Sequence, residues 1–171
     1  MSLREYCSGD AEGLFAALRD ERAWEHIPRR IPRDCTELDS DMQAGPAAVP
    51  RLAFTVRRGG EIVGRTSIFY DPSAPAGVEI GATQFDPSVW GTGVNTRAKR
   101  VLVRALFDQG AEWIQFRTDE RNARSAAAIR KLGAADLGVR QDDLVRREGT
   151  VRRSRFFRLE RPTGFRRPPG E

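Results

Sequence analysis

The spacing of apolar residues along the chain predicts four helices. The most regular pattern runs from Val94 to Leu106, where apolar side chains recur at i, i+4, i+7, i+8, i+11 and i+12 and so share one helix face. Gly110 follows at a position where helices commonly end. Weaker helical patterns, bounded by capping residues or glycines, cover residues 11–18, 35–44 and 122–132.

Elsewhere apolar and polar residues alternate, which is the period of a β-strand. The clearest case is a hairpin in which Gly59 and Gly60 form a tight turn between two alternating runs. The predicted strands cover residues 3–7, 52–58, 61–70, 78–85, 112–118, 136–146 and 151–159. One helix separates the strands at 78–85 and 112–118, so a βαβ unit inserted into a mostly antiparallel set predicts a mixed α/β sheet.

The length and composition are those of one globular domain. A chain of 171 residues has the usual size of a single domain, and no apolar run approaches the ~20 residues that span a bilayer. The N-terminal sequence MSLREYCSGD lacks the basic and apolar regions of a secretory signal. We therefore expect a cytoplasmic protein without a membrane partner, in which residues 1–159 form the domain and 160–171 a flexible tail.

The net charge of +5 does not by itself predict a nucleic-acid-binding protein. Residues 151–171 hold seven arginines and two glutamates, so the excess lies there and the first 150 residues are neutral. DNA-binding modules concentrate charge on a face that also carries base-reading groups, whereas here it falls in one late strand and a tail. We expect no nucleic-acid partner.

Several enzyme classes are excluded by what the chain lacks. Cys7, Cys35 and His26 are too few for a zinc site or a disulfide framework, so we expect no metal and two ordinary thiols. A G-x-S-x-G turn for a serine nucleophile is absent. The G-x-x-x-x-G-K-[ST] loop of nucleotide hydrolases is absent too.

The segment SVWGTGVN at 88–95 lies between a predicted strand and the helix that begins at Val94. Such a turn directs free N–H groups towards one point, where the helix dipole adds positive charge. Gly91 and Gly93 carry no Cβ, so an anion such as pyrophosphate can approach the backbone closely. A plain tight turn is the alternative, and a dinucleotide-binding turn is disfavoured because Thr96 occupies its third glycine position.

A second segment, NARSAAAIRKLGA at 122–134, begins with a common helix cap. Together the two segments, with one strand between them, resemble the acetyl-CoA core of the GNAT superfamily of N-acetyltransferases. The similarity is closest to its ribosomal-protein N-terminal-acetyltransferase-like (RimJ/RimL-type) branch. It covers about residues 52–159, with weaker similarity to the N-terminus, and rests on VEIG at 78–81, WGTGVNT at 90–96, Lys99, TD at 118–119, RNARS at 121–125 and LG at 132–133.

The resemblance implies a curved, mostly antiparallel sheet of about six or seven strands, split in a V between the strands at 78–85 and 112–118 and flanked by about four helices. It implies acetyl-CoA as cosubstrate, with the pantetheine arm in the V and the pyrophosphate on the backbone of the loop. The implied cofactor-binding residues are Gln84, Phe85, Trp90, Gly91, Thr92, Gly93, Val94, Asn95, Lys99, Asn122 and Ser125.

The implied reaction is direct attack of a primary amine on the thioester in a ternary complex, which needs a base and a donor for the developing oxyanion. Glu79 is the expected base, acting through water, with Asp86 and His26 in reserve. The alternative for Glu79 is a solvated residue or an arginine partner. The expected oxyanion donor is a backbone N–H near Phe85 or Asp86.

Two positions depart from the family's pattern. Ser88 stands where many members begin the phosphate loop with Gln or Arg, and Ile129 stands where many have the tyrosine that protonates the leaving thiolate. Ser125 or water would then supply that proton, although a thiolate of pKa ~8.5 leaves with little help. These departures keep open a non-catalytic CoA-binding sensor or scaffold.

The acceptor is either a protein N-terminus or a small-molecule amine, and the sequence fits a monomer or a homodimer. The resemblance places the acceptor pocket between the N-terminal helices and the late hairpin. Clustered arginines there favour an acidic or phosphorylated acceptor, with a solvated basic turn as the alternative. The candidate lining residues are Trp24, Arg29, Arg30, Arg33 and Tyr70.

Overall fold

The computed structural model describes residues 1–44 and 50–165 and is built on one seven-stranded sheet. Its strands follow the order β1-β2-β3-β4-β5-β7-β6, and only β4 and β5 are parallel. The predicted mixed α/β sheet is therefore confirmed. The strands are β1 (Ser2–Glu5), β2 (Arg51–Arg58), β3 (Glu61–Tyr70), β4 (Gly77–Phe85), β5 (Trp113–Asp119), β6 (Ala135–Val145) and β7 (Val151–Glu160).

Four α-helices cover the two faces of this sheet. They are α1 (Ala11–Ala17), α2 (Cys35–Gln43), α3 (Val94–Asp108) and α4 (Ala123–Arg130). The helices α3 and α4 bury their apolar sides against Ile80, Ile114 and Phe157. On the opposite face, α1 and α2 pack around Trp24 and Ala53. Within the described residues no helix is long and apolar enough to cross a bilayer.

The sheet is split because β4 and β5 pair over four residues only. Gly77–Ile80 lies beside Trp113–Phe116, and no pairing continues beyond these residues. Further along, β4 stays with β3 to Phe85, while β5 stays with β7 to Asp119. The strands thus form the predicted V, and the edge of β4 that faces β5 has no strand partner from residue 81 onwards.

A β-bulge in β4 lies at the point where the V opens. Ser67 of β3 is opposite Gly81, but Arg65 is opposite Gln84, so β4 contains one extra residue. Ala82 has φ +45°, in the left-handed region that residues with a Cβ rarely adopt.

The extra residue changes which β4 side chains face α3 and α4. Before the bulge, Val78 and Ile80 pack with these helices. After it, Thr83 bonds to Lys99 of α3, and Phe85 packs against the start of α3. A strand without the bulge would keep even-numbered residues on that face.

The C-terminal segment continues the fold further than predicted. Strand β7 extends to Glu160, and Phe165 packs edge-to-face on Phe107 of α3 with ring centroids 5.7 Å apart. Glu160 therefore belongs to the sheet and Phe165 packs against the domain. The rest of the predicted tail, residues 166–171, lies outside the described residues.

The close packing of β3 on β4 gives a stability test at Gly64. A Cβ at this position would overlap the carbonyl oxygen of Gln84 and come within 2.6 Å of the Phe85 ring. We expect Gly64→Ala to lower the free energy of unfolding by about 2–3 kcal/mol, because the backbone ladder cannot yield.

Gly13→Ala in α1 is the matched control. Its Cβ would meet only the flexible end of Ile62, at 3.1 Å, and alanine favours a helix over glycine by about 1 kcal/mol. Urea unfolding of both variants makes the comparison. An unchanged midpoint for Gly64→Ala would contradict the β3–β4 register.

Candidate active site

A cavity of about 900 Å³ occupies the V between β4 and β5. Its walls come from the loop before α3, the first turns of α3 and α4, the unpaired end of β4, and the turn at residues 22–29 on the opposite face of the sheet. A cavity of this volume can enclose a ligand of cofactor size. One continuous space therefore reaches both faces of the sheet.

The loop before α3 is held by its own polar groups. The Asp86 carboxylate accepts from the backbone N–H of Ser88 at 2.8 Å, and Trp90 Nε1 donates to the Phe85 carbonyl at 3.1 Å. Gly91 and Gly93 have φ of 76° and 79°, and Gly93 is the N-cap of α3. Among the residues that the structure describes, no side chain caps this helix, so its first N–H groups are open to a ligand.

Asn95 adds a second indication of a ligand at this loop. Its Oδ1 is buried and has no hydrogen-bond partner among the described residues. Buried polar atoms normally have partners, so this oxygen fits a site completed by a hydrogen-bond donor of a bound group. A pyrophosphate offers only acceptors, so its predicted site is supported by the open N–H groups at the start of α3 and not by Asn95 Oδ1.

The predicted loop residues divide into two groups. Trp90, Gly91, Gly93 and Asn95 line the cavity. The Thr92 hydroxyl instead donates to the Val89 carbonyl at 2.7 Å, and the Val94 side chain is fully buried in the core. Any contribution of Thr92 and Val94 to binding would come from their backbone.

Asn122 and Ser125 lie together at the start of α4, as predicted. The Asn122 Oδ1 accepts from the Ser125 backbone N–H at 2.9 Å, and both residues line the cavity. Because this cap occupies Oδ1, the Nδ2 group of Asn122 is left to donate to a ligand. Ile129, at the family's tyrosine position, is buried in the core and supplies no acid.

The sequence analysis did not predict the contact between α4 and the loop before α3. The Arg124 guanidinium lies 3.4 Å from the centroid of the Trp90 ring, and that of Arg22 lies 5.9 Å from it. The three residues are far apart in sequence, so no local pattern indicated this contact.

Lys99, one of the predicted cofactor-binding residues, lines the cavity within the V. Its Nζ donates to Thr83 Oγ1 at 3.0 Å and lies 5.4 Å from the centroid of the Phe116 ring. The residue is only 5% exposed. Burial lowers the pKa of the Lys99 amine to about 8.

The β4 residues predicted to bind pantetheine lie at the unpaired edge. The Gln84 side chain is buried, accepts from Arg65 Nε at 2.7 Å and donates to the Ala23 carbonyl at 3.0 Å, so only its backbone could serve. Asp86 is wrong as an oxyanion donor, because its N–H already donates to the Val63 carbonyl at 2.9 Å. Phe85 stays a prediction.

Glu79 lines the cavity on the face opposite α3 and α4, with its side chain 18% exposed. Gln115 Nε2 donates to its Oε2 at 3.1 Å, and Arg117 Nε lies 3.4 Å from its Oε1. The arginine partner considered as an alternative is therefore present. Whether Glu79 is also the base stays a prediction.

His26, the reserve base, lines the cavity as well. Burial lowers the pKa of His26, so its imidazole is uncharged near neutral pH and one ring nitrogen can accept a proton. Asp86 is a weaker candidate, because its carboxylate caps the turn that begins the loop.

Four of the five residues predicted for the acceptor pocket lie elsewhere. The Trp24 ring is buried in the core of α1 and α2, where Nε1 donates to the Leu18 carbonyl at 2.6 Å. Arg30 and Arg33 pair with Glu37 outside the cavity, and Tyr70 is exposed at the end of β3, also outside it. Arg29 alone of the five lines the cavity.

Comparisons with known proteins agree with this geometry. Residues 1–135 match the family model for the acetyltransferase (GNAT) domain. A probable acetyltransferase of the GNAT family from Chromobacterium violaceum superposes with a TM-score of 0.82 at 24% identity, covering 92% of this chain and 86% of that one. Among curated proteins, none matches this chain significantly.

Two further solved structures have the same fold. An acetyltransferase from Salmonella typhimurium, described as modifying the N-terminal serine of ribosomal protein L7/L12, has a TM-score of 0.80 at 15% identity and covers 94% of each chain. Mycobacterium smegmatis RimJ in complex with CoA-disulfide has a TM-score of 0.80 at 21% identity, covering 92% of this chain and 80% of that one. None of these findings supports a non-catalytic module.

The positive φ of Gly93 generates a test of the loop. A β-branched residue is strongly disfavoured at φ 79°, so we expect Gly93→Val to distort the start of α3 and weaken acetyl-CoA binding about 100-fold or more. Isothermal titration calorimetry measures the loss.

Gly60→Val is the control for backbone strain away from the cavity, since Gly60 has φ 91° in the β2–β3 turn. It should lower stability and leave acetyl-CoA affinity unchanged. Equal affinity in the Gly93 and Gly60 variants would rule out the loop as the pyrophosphate site.

The burial of Lys99 predicts a pH-dependent gain in stability on its replacement. Its pKa falls from 10.5 to about 8 on folding, so the charged form is disfavoured in the folded state below pH 8, and this cost disappears as pH rises to about 10.5. Lys99→Met should therefore stabilise the protein by about 1–3 kcal/mol at pH 7, and the gain should vanish near pH 10.5.

Thermal unfolding at the two pH values tests this expectation. Lys131→Met removes the chain's other, exposed lysine and should show no such pH-dependent gain. A Lys99 variant less stable than wild type at pH 7 would contradict an uncompensated buried charge.

Proposed function

The chain belongs to the GNAT acetyltransferase family and is an acetyl-CoA-dependent N-acetyltransferase, and we propose that it acetylates a primary amine by direct attack in a ternary complex. The observation that supports this proposal most directly is the V in the sheet. One cavity connects the uncapped start of α3 on one face with Glu79 on the other. This arrangement supports entry of the thioester from one side and of the amine from the other.

We place acetyl-CoA along this path. The N–H groups at the start of α3 would hold the pyrophosphate, with Asn95 beside them. The unpaired edge of β4 would bind the pantetheine amides as an added strand, and Asn122 Nδ2 would donate to the same arm. When bound, acetyl-CoA supplies the thioester carbonyl that the amine attacks.

The attacking amine must lose a proton, and we assign Glu79 as the base. Its carboxylate lies beside the V on the face where the amine would enter, and it is partly exposed to the cavity. Both of its oxygens already have partners in Gln115 and Arg117. A water molecule between Glu79 and the amine would therefore carry the proton.

No tyrosine is available for the leaving thiolate, because Ile129 is buried at that position. Ser125 is the nearest candidate by position, since it lines the cavity at the start of α4. A thiol of pKa ~8.5 is a good leaving group near neutral pH, so a modest donor is sufficient.

The acceptor is a protein N-terminus or a small-molecule amine. One relative of the same fold is described as modifying the N-terminal serine of a ribosomal protein, which supports the first. A cytoplasmic monomer or homodimer fits either acceptor.

Release of CoA thiol with a panel of amines tests the reaction, and Glu79→Gln tests the base. We expect the substitution to lower kcat about 100-fold, to flatten the rise of kcat with pH, and to leave acetyl-CoA affinity unchanged. The melting temperature of Glu79→Gln shows how much stability is lost with the Arg117 contact.

Glu148→Gln, in the exposed β6–β7 turn, is the control and should retain full activity. His26→Gln distinguishes the reserve base. If it removes the pH dependence while Glu79→Gln preserves it, the base is His26 and the assignment of Glu79 is wrong.

A further inference from the structure

On the acceptor face of the sheet, the buried Arg65 and the half-buried Arg51 lie among neutral groups. Arg65 of β3 is 5% exposed. Its Nε donates to Gln84 Oε1 at 2.7 Å, its Nη1 lies 2.8 Å from Met42 Sδ, and its guanidinium lies 5.5 Å from the centroid of the Trp24 ring. An amide oxygen, a thioether and an aromatic face do not compensate a full positive charge.

Arg51 of β2 meets Arg65 at the same sulfur atom. Its Nη2 lies 3.7 Å from Met42 Sδ, and its Nε donates to Ser67 Oγ at 2.9 Å. Burial, reinforced by the charges of Arg51 and Arg29, lowers the pKa of Arg65 to about 9. All three arginines line the cavity, and they form what we call the arginine pocket.

Other buried arginines of this chain have carboxylate partners. Arg146 lies 2.7 Å from Asp119, and Arg152 lies 3.8 Å from Asp142. Across residues 1–44 and 50–165, by contrast, neither Arg51 nor Arg65 forms an ion pair. The Asp41 carboxylate is near enough to act on both charges but pairs with neither. A buried charge without a paired carboxylate is expensive, so the pocket fits an anion that arrives from outside the chain.

The position of the pocket argues against the phosphates of acetyl-CoA as this anion. Arg65 is opposite Gln84, on the face that carries Glu79, whereas the uncapped start of α3 lies on the other face. Arg51 reaches Ser67 of β3, which lies opposite Gly81 of β4, and the Glu79 carboxylate lies beside Gly81, so about one strand spacing of 5 Å separates this part of the pocket from β4. An anion bound there would lie a few bonds from an amine placed beside Glu79.

We propose that the acceptor is a primary amine with a carboxylate a few bonds away, and that Arg51 and Arg65 bind this carboxylate with Arg29 at the entrance. This inference rests on the proposed function and specifies its acceptor. The carboxylate has two sources: the α-carboxylate of a free amino acid, or an acidic side chain at the first or second residue of a peptide.

The proposal is tested by measuring thiol release with pairs of acceptors that match in size and differ in one carboxylate. The pairs are glutamine against glutamine amide, which differ only in the α-carboxylate, and peptides beginning Ser-Asp against Ser-Asn, which differ only in the side-chain carboxylate. We expect the wild type to prefer the acidic member of at least one pair about 10- to 100-fold in kcat/KM, the range of a charge-assisted hydrogen bond. The pair that shows the preference identifies the source of the carboxylate.

Arg51→Gln should reduce this preference to less than about threefold by lowering kcat/KM for the acidic acceptors, and Arg51→Lys should restore part of it. Arg58→Gln, exposed at the end of β2, is the control and should keep the full preference. If Arg51→Gln fails to fold, Arg29→Gln at the pocket entrance replaces it and should reduce the preference for acidic acceptors by a smaller factor.

The possible outcomes distinguish a failure of this proposal from a failure of the proposed acetyltransferase function on which it rests. No thiol release with any amine would overturn the proposed function. Equal rates on acidic and neutral members would overturn the carboxylate proposal alone, and so would a preference that survives Arg51→Gln. A phosphorylated amine used faster than its carboxylate counterpart would show that the pocket serves a different anion.

Discussion

The unpaired edge of β4 is the constraint on which the rest of this structure depends. Peptide N–H and C=O groups need partners, and β5 supplies them to β4 over four residues only. Beyond Ile80, the V leaves these groups facing a cavity. An extended ligand with its own amides can replace the missing strand, which is why we place pantetheine there.

The bulge at Ala82 divides the site between the two faces of the sheet. Thr83 and Phe85 point towards α3 after the bulge, while Glu79 and Gln84 point towards the N-terminal segment. The two faces consequently have different chemistry. The α3 side offers backbone donors and a single buried lysine, and the other side offers a carboxylate and a group of arginines.

The parts that could be predicted from the sequence are those encoded by contiguous residues. The stripe from Val94 to Leu106 predicted α3, and the two glycines before it predicted a loop with positive φ. Asn122 was predicted as a cap because capping is a local interaction. The V followed from family resemblance, since strand divergence has no local pattern.

The acceptor side could not be predicted because it is assembled from distant elements. Arg51, Arg65 and Met42 come from β2, β3 and α2, and only strand pairing brings them together. Trp24 suggested a binding surface but fills the core under α1 and α2. The burial of Lys99 was not predicted although a signal existed, since it lies three residues before Leu102 on the buried side of α3.

The extra residue in β4 also bears on how this chain can change during evolution. Deletion of one residue there would place each later side chain of β4 on the opposite face of the sheet. Thr83 would then lie on the face that carries Glu79, and Gln84 on the face that α3 covers. Length variation is therefore incompatible with the site at this position. In the turns at Gly60 and Gly149, which contact neither face of the cavity, insertions would change only the length of a hairpin.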